Sequence, residues 1–214
     1  MNIVSISDLH LGSGRSMCRQ FLAFMRALPP DTMLLLNGDI IDAERRNLTA
    51  EHLETVGAIC AESFRRRIVW TGGNHDRSYV PVEPNRIEFV PEWTTGQTCF
   101  VHGDRFMPAH GLYVMFGQLM RIYRACKVPD SLVTLRFAHR IPLLFRLLRS
   151  RSIAKAVRFA ERNGYQTMVC GHLHMVIDTT VRGVRYINTG SWTESPLFYL
   201  SYRDGEVRLR TVEC

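Results

Sequence analysis

Gly72-Gly73-Asn74-His75-Asp76 is the stretch that decides how this chain reads. It follows Arg67-Ile68-Val69-Trp70-Thr71, an apolar, β-branched run closed by glycines and so a buried strand. Two glycines let the backbone turn sharply and approach a ligand closely. The turn then sets an amide oxygen on Asn74 beside an imidazole on His75. Alone, such a pair marks only a polar turn. Its meaning depends on what closes the other strands.

Toward the N-terminus two more apolar strands end in acids. Residues 2–7 lead into Asp8-Leu9-His10, and residues 33–36 lead into Asn37-Gly38-Asp39-Ile40-Ile41-Asp42. Between them, residues 17–28 have helical periodicity and stop at Pro29-Pro30, and Thr49 reads as the N-cap of a helix to about residue 64. Strand-helix-strand-helix-strand is the order of parallel crossover units. Toward the C-terminus, short strands at 87–90 and 98–101 come next, the second ending in His102-Gly103-Asp104. A basic, apolar segment over 109–163 reads as helices: one near 112–127, one from about 131 broken at Pro142, and one over 152–163 stopped by Gly164. Residues 167–170 form a strand ending in Gly171-His172-Leu173-His174. Short strands at 176–180, 184–187, 198–202 and 207–212 complete the pattern.

Five loops after apolar strands therefore carry Asp8 and His10, Asp39, Asn74 and His75, His102, and His172 with His174. Sites in open α/β sheets gather at the carboxyl ends of strands, so these loops are expected to converge. Residues two apart on an extended segment point the same way, which would send Asp8/His10 and His172/His174 into one cleft as pairs. A donor set of mixed nitrogen and oxygen without thiolate suits two first-row divalent ions such as Mn, Fe, Zn or Co, not a structural thiolate zinc site.

The ordered set Asp8-Leu9-His10, Gly38-Asp39-Ile40-Ile41-Asp42, Gly73-Asn74-His75-Asp76, His102 and Gly171-His172-Leu173-His174 resembles the calcineurin-like metallophosphoesterase signature. The resemblance implies an α/β fold of two packed mixed sheets flanked by helices, an αββα sandwich. It also implies a pair of divalent ions, with manganese foremost. Asp8, His10, Asp39 and His174 would hold one ion. Asp39, Asn74, His102 and His172 would hold the other, with Asp39 bridging. His75 would stand beside the ions as proton donor or transition-state stabiliser, oriented by Asp42. The chemistry agrees: two close metals acidify a shared water and clamp phosphate oxygens, while a nearby imidazole protonates the leaving oxygen. Asp76 and Asp104 are candidates to steady ligand histidines, or else to stabilise their own turns. Asn188-Thr189-Gly190-Ser191 is similar to the Asn-Pro-Gly-Ser loop that packs near the metals in the family, with Thr in place of Pro. Of the remaining histidines, His52 is expected on a solvated helix face, and His110 and His139 as surface or packing residues.

At 214 residues the chain suits one domain, 1–214, with the 109–163 segment inserted as a basic helical cap. Six scattered cysteines without a Cys-x-x-Cys pair point to reduced thiols and a cytoplasmic compartment, and Cys60, Cys99 and Cys170 to core positions. No secretory signal is expected before the first strand. The 15 uncharged residues between Arg105 and Arg121 are too few to span a bilayer, which takes about 20. The net charge of +7 is lopsided: residues 119–162 hold 11 basic and 2 acidic residues, 11 − 2 = +9, so the rest carries −2. Any anionic partner should meet the protein there.

The metal centre alone does not select a substrate. Leu112, Met115, Phe116, Leu119, Ile122 and Tyr123, followed by Phe137, Ile141, Leu144, Phe145 and Leu148, recur at helical spacing among arginines. Helices of this kind can lie on an anionic membrane surface or line an acyl groove; equally, they can cap the core with solvated arginines outside. A basic helical insertion at this place, with Gly190-Ser191-Trp192, resembles the UDP-2,3-diacylglucosamine pyrophosphatases, which act on a lipid-linked pyrophosphate at the inner membrane surface. This chain has His75 where that branch has arginine, and Leu173-His174-Met175-Val176 where it has Thr-His-Arg-Pro. The expected partner is thus a phosphorylated small molecule or lipid-linked nucleotide. A soluble phosphomonoesterase or phosphodiesterase of nucleotides or phosphoproteins, and a non-catalytic scaffold, are the alternatives. Nucleic acid is disfavoured because the aromatics alternate with aliphatics and form no stacking platform.

Overall fold

The computed structural model describes residues 1–42, 48–107 and 142–213. In chain order these form β1 (Asn2–Ile6), α1 (Cys18–Ala27), β2 (Thr32–Asn37), α2 (Ala50–Glu62), β3 (Ile68–Thr71), β4 (Glu88–Val90), β5 (Trp93–Thr95) and β6 (Thr98–Phe100). After a short 3-10 turn (Asp104–Phe106) come α3 (Pro142–Asn163), β7 (Thr167–Cys170), β8 (Val176–Val181), β9 (Val184–Thr189), β10 (Phe198–Arg203) and β11 (Glu206–Thr211). The strands make two sheets. One has the order β11-β10-β1-β2-β3-β4, with β1 to β4 parallel and the last two antiparallel; the other has the order β5-β6-β7-β9-β8.

The two-residue pleat sorts the side chains into layers. Ile3, Met33, Leu35 and Val69 of the first sheet meet Phe100, Val169 and Ile187 of the second. Their neighbours Val4, Ile6, Leu34, Leu36, Ile68 and Trp70 face the other way, onto Phe21 and Met25 of α1 and Val56 and Ile59 of α2. On the far side, Cys99, Met168, Cys170 and Tyr186 pack against Ile153, Ala156, Val157 and Ala160 of α3. The result is the expected sandwich of two mixed sheets between helices. Cys18, Cys60, Cys99 and Cys170 are free and buried.

Toward the carboxyl ends of the strands the layer between the sheets turns polar. Ser5, Ser7, Asn37, Thr71 and Thr189 are all buried on the same pleat faces as the apolar residues below them. Ser5 Oγ alone among these has no hydrogen-bond partner among the described residues. A buried hydroxyl without a partner is a net cost. Ser5→Ala is therefore expected to stabilise the protein by about 1 kcal/mol, read as a rise of about 2–4 °C in thermal midpoint.

Several expectations need correction. The strand Trp93–Thr95 goes unnoticed in the sequence because three residues carry no periodicity; it pairs antiparallel with β6. The helix expected to begin at 152 is continuous from Pro142 to Asn163. Ser152 Oγ donates to the Leu148 carbonyl at 3.0 Å within it. Ile153 to Ala160 of this helix form an outer layer on the second sheet, so this part of the presumed cap belongs to the sandwich. The helices expected over 112–127 and 131–141, with His110 and His139, lie outside the described residues. His52 is buried, not solvated: its Nδ1 accepts from the Thr49 N–H at 3.2 Å while Thr49 Oγ1 accepts from the His52 N–H at 3.3 Å. An imidazole lone pair thus takes the place usually filled by a glutamate in a capping box. No described helix is long and apolar enough to cross a membrane.

Candidate metal centre

β1, β2 and β3 bring Asp8/His10, Asp39 and Asn74/His75 to one end of the first sheet, and β6 and β7 bring His102 and His172/His174 to the same end of the second. Asp8, His10, Asp39, His172 and His174 all have left-handed backbone, with φ between 51° and 67°. The two spaced pairs therefore do not reach inward from extended segments, as the spacing predicts. They do so from tight loops whose strain of this kind clusters at functional sites.

The donors fall into groups. His174 Nε2 lies 3.0 Å from Asp8 Oδ1 and 3.0 Å from His10 Nε2. His102 Nε2 lies 3.1 Å from Asp39 Oδ2, and His172 completes that second group. Within each group the ligand atoms lie within 4.8 Å of one another. Asp39 also groups with His10 and His75, so its carboxylate reaches both sides. The tautomers suit a cation: His10 Nδ1 donates to Asp42 Oδ1 at 2.7 Å and His102 Nδ1 donates to the Asn37 carbonyl at 3.1 Å, which turns both Nε2 lone pairs inward. His102 Nε2 is buried against Asp39 Oδ2 with no other partner among the described residues. An imidazole nitrogen held there by a carboxylate fits a divalent ion once it gives up its proton.

His75 stands apart. Its side chain is 32 % exposed, whereas Asp8, Asp39 and His102 are buried; its Nδ1 lies 3.2 Å from Asp42 Oδ1 and its Nε2 4.0 Å from Asp39 Oδ2. One oxygen of Asp42 thus holds both His10 and His75. Asn74 is exposed, and its amide makes no hydrogen bond among the described residues, so no contact draws it into either group.

Burial works against charge here, and the neighbours outweigh it. Burial would lower His102, yet the charges of Asp39 and Asp8 push it up to about 10. Burial and the His102 charge push His172 down to about 4. Burial would raise Asp39 and Asp42, but the adjoining histidines hold both well below the usual carboxylate range. The hydrogen bond to Asp42 raises His75, which favours its protonated, donating form. At neutral pH the metal-free centre consequently carries a proton on His102 that an incoming ion must displace. Metal binding should release that proton and weaken as pH falls, which calorimetric titration with Mn²⁺ in buffers of different ionisation enthalpy will show.

Of the two roles open to Asp76, the structure shows the turn-stabilising one: its Oδ1 accepts from the Gly73 N–H at 2.7 Å, and its Oδ2 from the Ile40 N–H at 2.7 Å and Trp70 Nε1 at 3.0 Å. It ties the loop of Asn74 to the loop of Asp39. Asp104 pairs with Arg77 Nη2 at 2.5 Å. Asn188 Nδ2 donates to the Gly171 carbonyl, and the Asp8 carbonyl accepts from the Trp192 N–H at 2.9 Å and Ser191 Oγ at 3.3 Å. The 188–192 loop therefore clasps two ligand loops by their backbones. Asn37 escapes sequence reasoning as a functional residue, although a polar residue closing a wholly apolar strand was the signal for it.

Mixed carboxylate–imidazole groups thus gather at one end of a two-sheet sandwich. Residues 1–176 match the family model described as calcineurin-like phosphoesterase, and the chain belongs to that family. No curated protein sequence matches it. Among solved structures, Yfce, a phosphoesterase from E. coli, is similar at TM-score 0.50 and 16 % identity over 95 % of this chain and 89 % of that one, which supports the fold. A single mutant of Vps29 from Entamoeba histolytica (TM-score 0.48, 16 % identity, 99 % and 98 % covered) and an archaeal phosphodiesterase (0.48, 14 %, 99 % and 100 %) are also similar.

Proposed function

We propose that the chain hydrolyses a phosphodiester or pyrophosphate bond with two divalent ions, manganese foremost. The observation that carries this is the pairing of Asp8, His10 and His174 in one donor group with Asp39, His102 and His172 in the next. Asp39, which groups with donors on both sides, and the amide oxygen of Asn74 would complete the ligands. When bound, the ions supply an acidified water and screen phosphate charge. The chain supplies the rest. Asp42 fixes the tautomers of His10 and His75 through one oxygen. His75, half-open to solvent and favoured in its protonated form, gives its Nε2 proton to the leaving oxygen.

Within that reading, a lipid-linked nucleotide is the finer substrate assignment. Its support is the concentration of charge: Arg146, Arg151, Arg158 and Arg162 line the exposed side of α3, and the sequence before it adds five more basic residues from Arg121 to Arg140. Protein loaded with Mn²⁺ should cleave bis-p-nitrophenyl phosphate faster than p-nitrophenyl phosphate, and UDP-2,3-diacylglucosamine faster than a water-soluble nucleotide sugar. Equal rates on the last two would leave the esterase and remove the lipid. Two ions bound with no ester turned over would favour the scaffold instead.

A further inference from the structure

The two ions proposed above draw ligands from both sheets, so what registers one sheet against the other also sets the ligand distances. We infer that Asn37 is the positioning residue chiefly for the second ion, an inference that rests on the two-ion reading. Its side chain is wholly buried in the layer between the sheets. Nδ2 donates to the Val101 carbonyl at 3.3 Å and to the Val169 carbonyl at 3.2 Å, while Oδ1 accepts from Thr71 Oγ1 at 2.9 Å. One amide thereby touches the ends of β3, β6 and β7 from its own place at the end of β2.

Those four strands lead to Asn74, His102, His172 and Asp39, the donor set assigned to the second ion. Val101 directly precedes His102, and Asn37 lies two residues before Asp39. The backbone carbonyl of Asn37 also accepts from His102 Nδ1 at 3.1 Å, which fixes the ring whose Nε2 faces the site. A buried amide with every polar atom answered is rigid, because moving any of its partners strands a donor or acceptor away from water.

The first ion is tied differently. Asp8 and His10 follow β1, which Asn37 does not touch through its side chain. That strand end is joined across the sheets by Ser7 Oγ and Thr189 Oγ1 at 2.8 Å, and its loop is clasped by Trp192 and Ser191. Asp39 and the loop after β7, which carries His174 as well as His172, are shared. One polar link thus reaches all four donors of the second ion and only two of the first.

Asn37→Leu removes the amide at nearly constant volume, and Thr71→Val removes one of its links with less disturbance. Each is compared with wild type by calorimetric titration of the metal-free protein with Mn²⁺, by Mn²⁺ electron paramagnetic resonance for coupled pairs, and by the thermal midpoint without metal. The expected result for Asn37→Leu is one equivalent weakened about 10–100-fold and the other distinctly less, with the coupled-pair signal lost at limiting metal. Thr71→Val should weaken the same equivalent less. Ser7→Ala should spare that equivalent and weaken the other. Should Asn37→Leu fail to fold, Thr71→Val and Ser7→Ala decide. Equal weakening of both equivalents, or unchanged affinities beside a lowered midpoint, overturns the inference. A wild type that takes up fewer than two equivalents overturns the two-ion reading itself.

Discussion

His75→Ala should lower turnover of a phosphodiester by about 10²–10⁴-fold while leaving metal content at the wild-type level. The ring is partly exposed and hangs from Asp42 rather than joining the buried ligand atoms, so its loss removes a proton and leaves the nests standing. Initial rates on bis-p-nitrophenyl phosphate and elemental analysis of the same preparation test both halves. Loss of metal together with activity would make His75 a ligand. Asp42→Asn is the informative partner, because the same oxygen also fixes His10. It should lower activity and metal retention together.

Gly73→Ala should be as damaging through a different route. A Cβ there would lie 2.2 Å from Asp39 Oδ1 and 2.5 Å from the Asp39 backbone nitrogen. A side-chain atom could yield, but a backbone nitrogen cannot, so the loop of Asn74 must be pushed off the loop of Asp39. Stability should fall by about 1–3 kcal/mol, and the carboxylate shared by the two donor groups should lose its geometry. Chemical denaturation of the metal-free protein and Mn²⁺ titration measure the two effects. Gly57 inside α2 is the control: an added Cβ there meets nothing within 4 Å. Gly57→Ala should raise stability by about 0.5–1 kcal/mol with no change in metal binding.

What could be read in the sequence follows from what is local. Apolar strands such as Met33 to Leu36 and the acids and histidines that close them are visible because strand, turn and ligand are neighbours in the chain. The left-handed backbone at Asp8, His10, His172 and His174 is not, since Asp and His tolerate positive φ better than most residues but adopt it in only a small minority of positions, where the loops on either side demand it. For Asp76 the turn-stabilising role holds through Gly73, while its links to Ile40 and Trp70, on another loop and a strand, leave no local sign. Asn37 reaches Val101 and Val169, 64 and 132 residues away, and no local pattern records such contacts.

The pairing of β1 with β10 bears on how the protein is made. Ile3 lies opposite Tyr202, so the strand that leads to Asp8 and His10 keeps one flank bare until Tyr202 has been made. At about 5–20 residues per second, translation leaves that edge open for on the order of 10–40 s. Trp192, whose N–H holds the Asp8 carbonyl, arrives in the same stretch. The loop of Asp8 and His10 is therefore completed only then, and the bare edge of β1 is where a nascent-chain chaperone has most to protect.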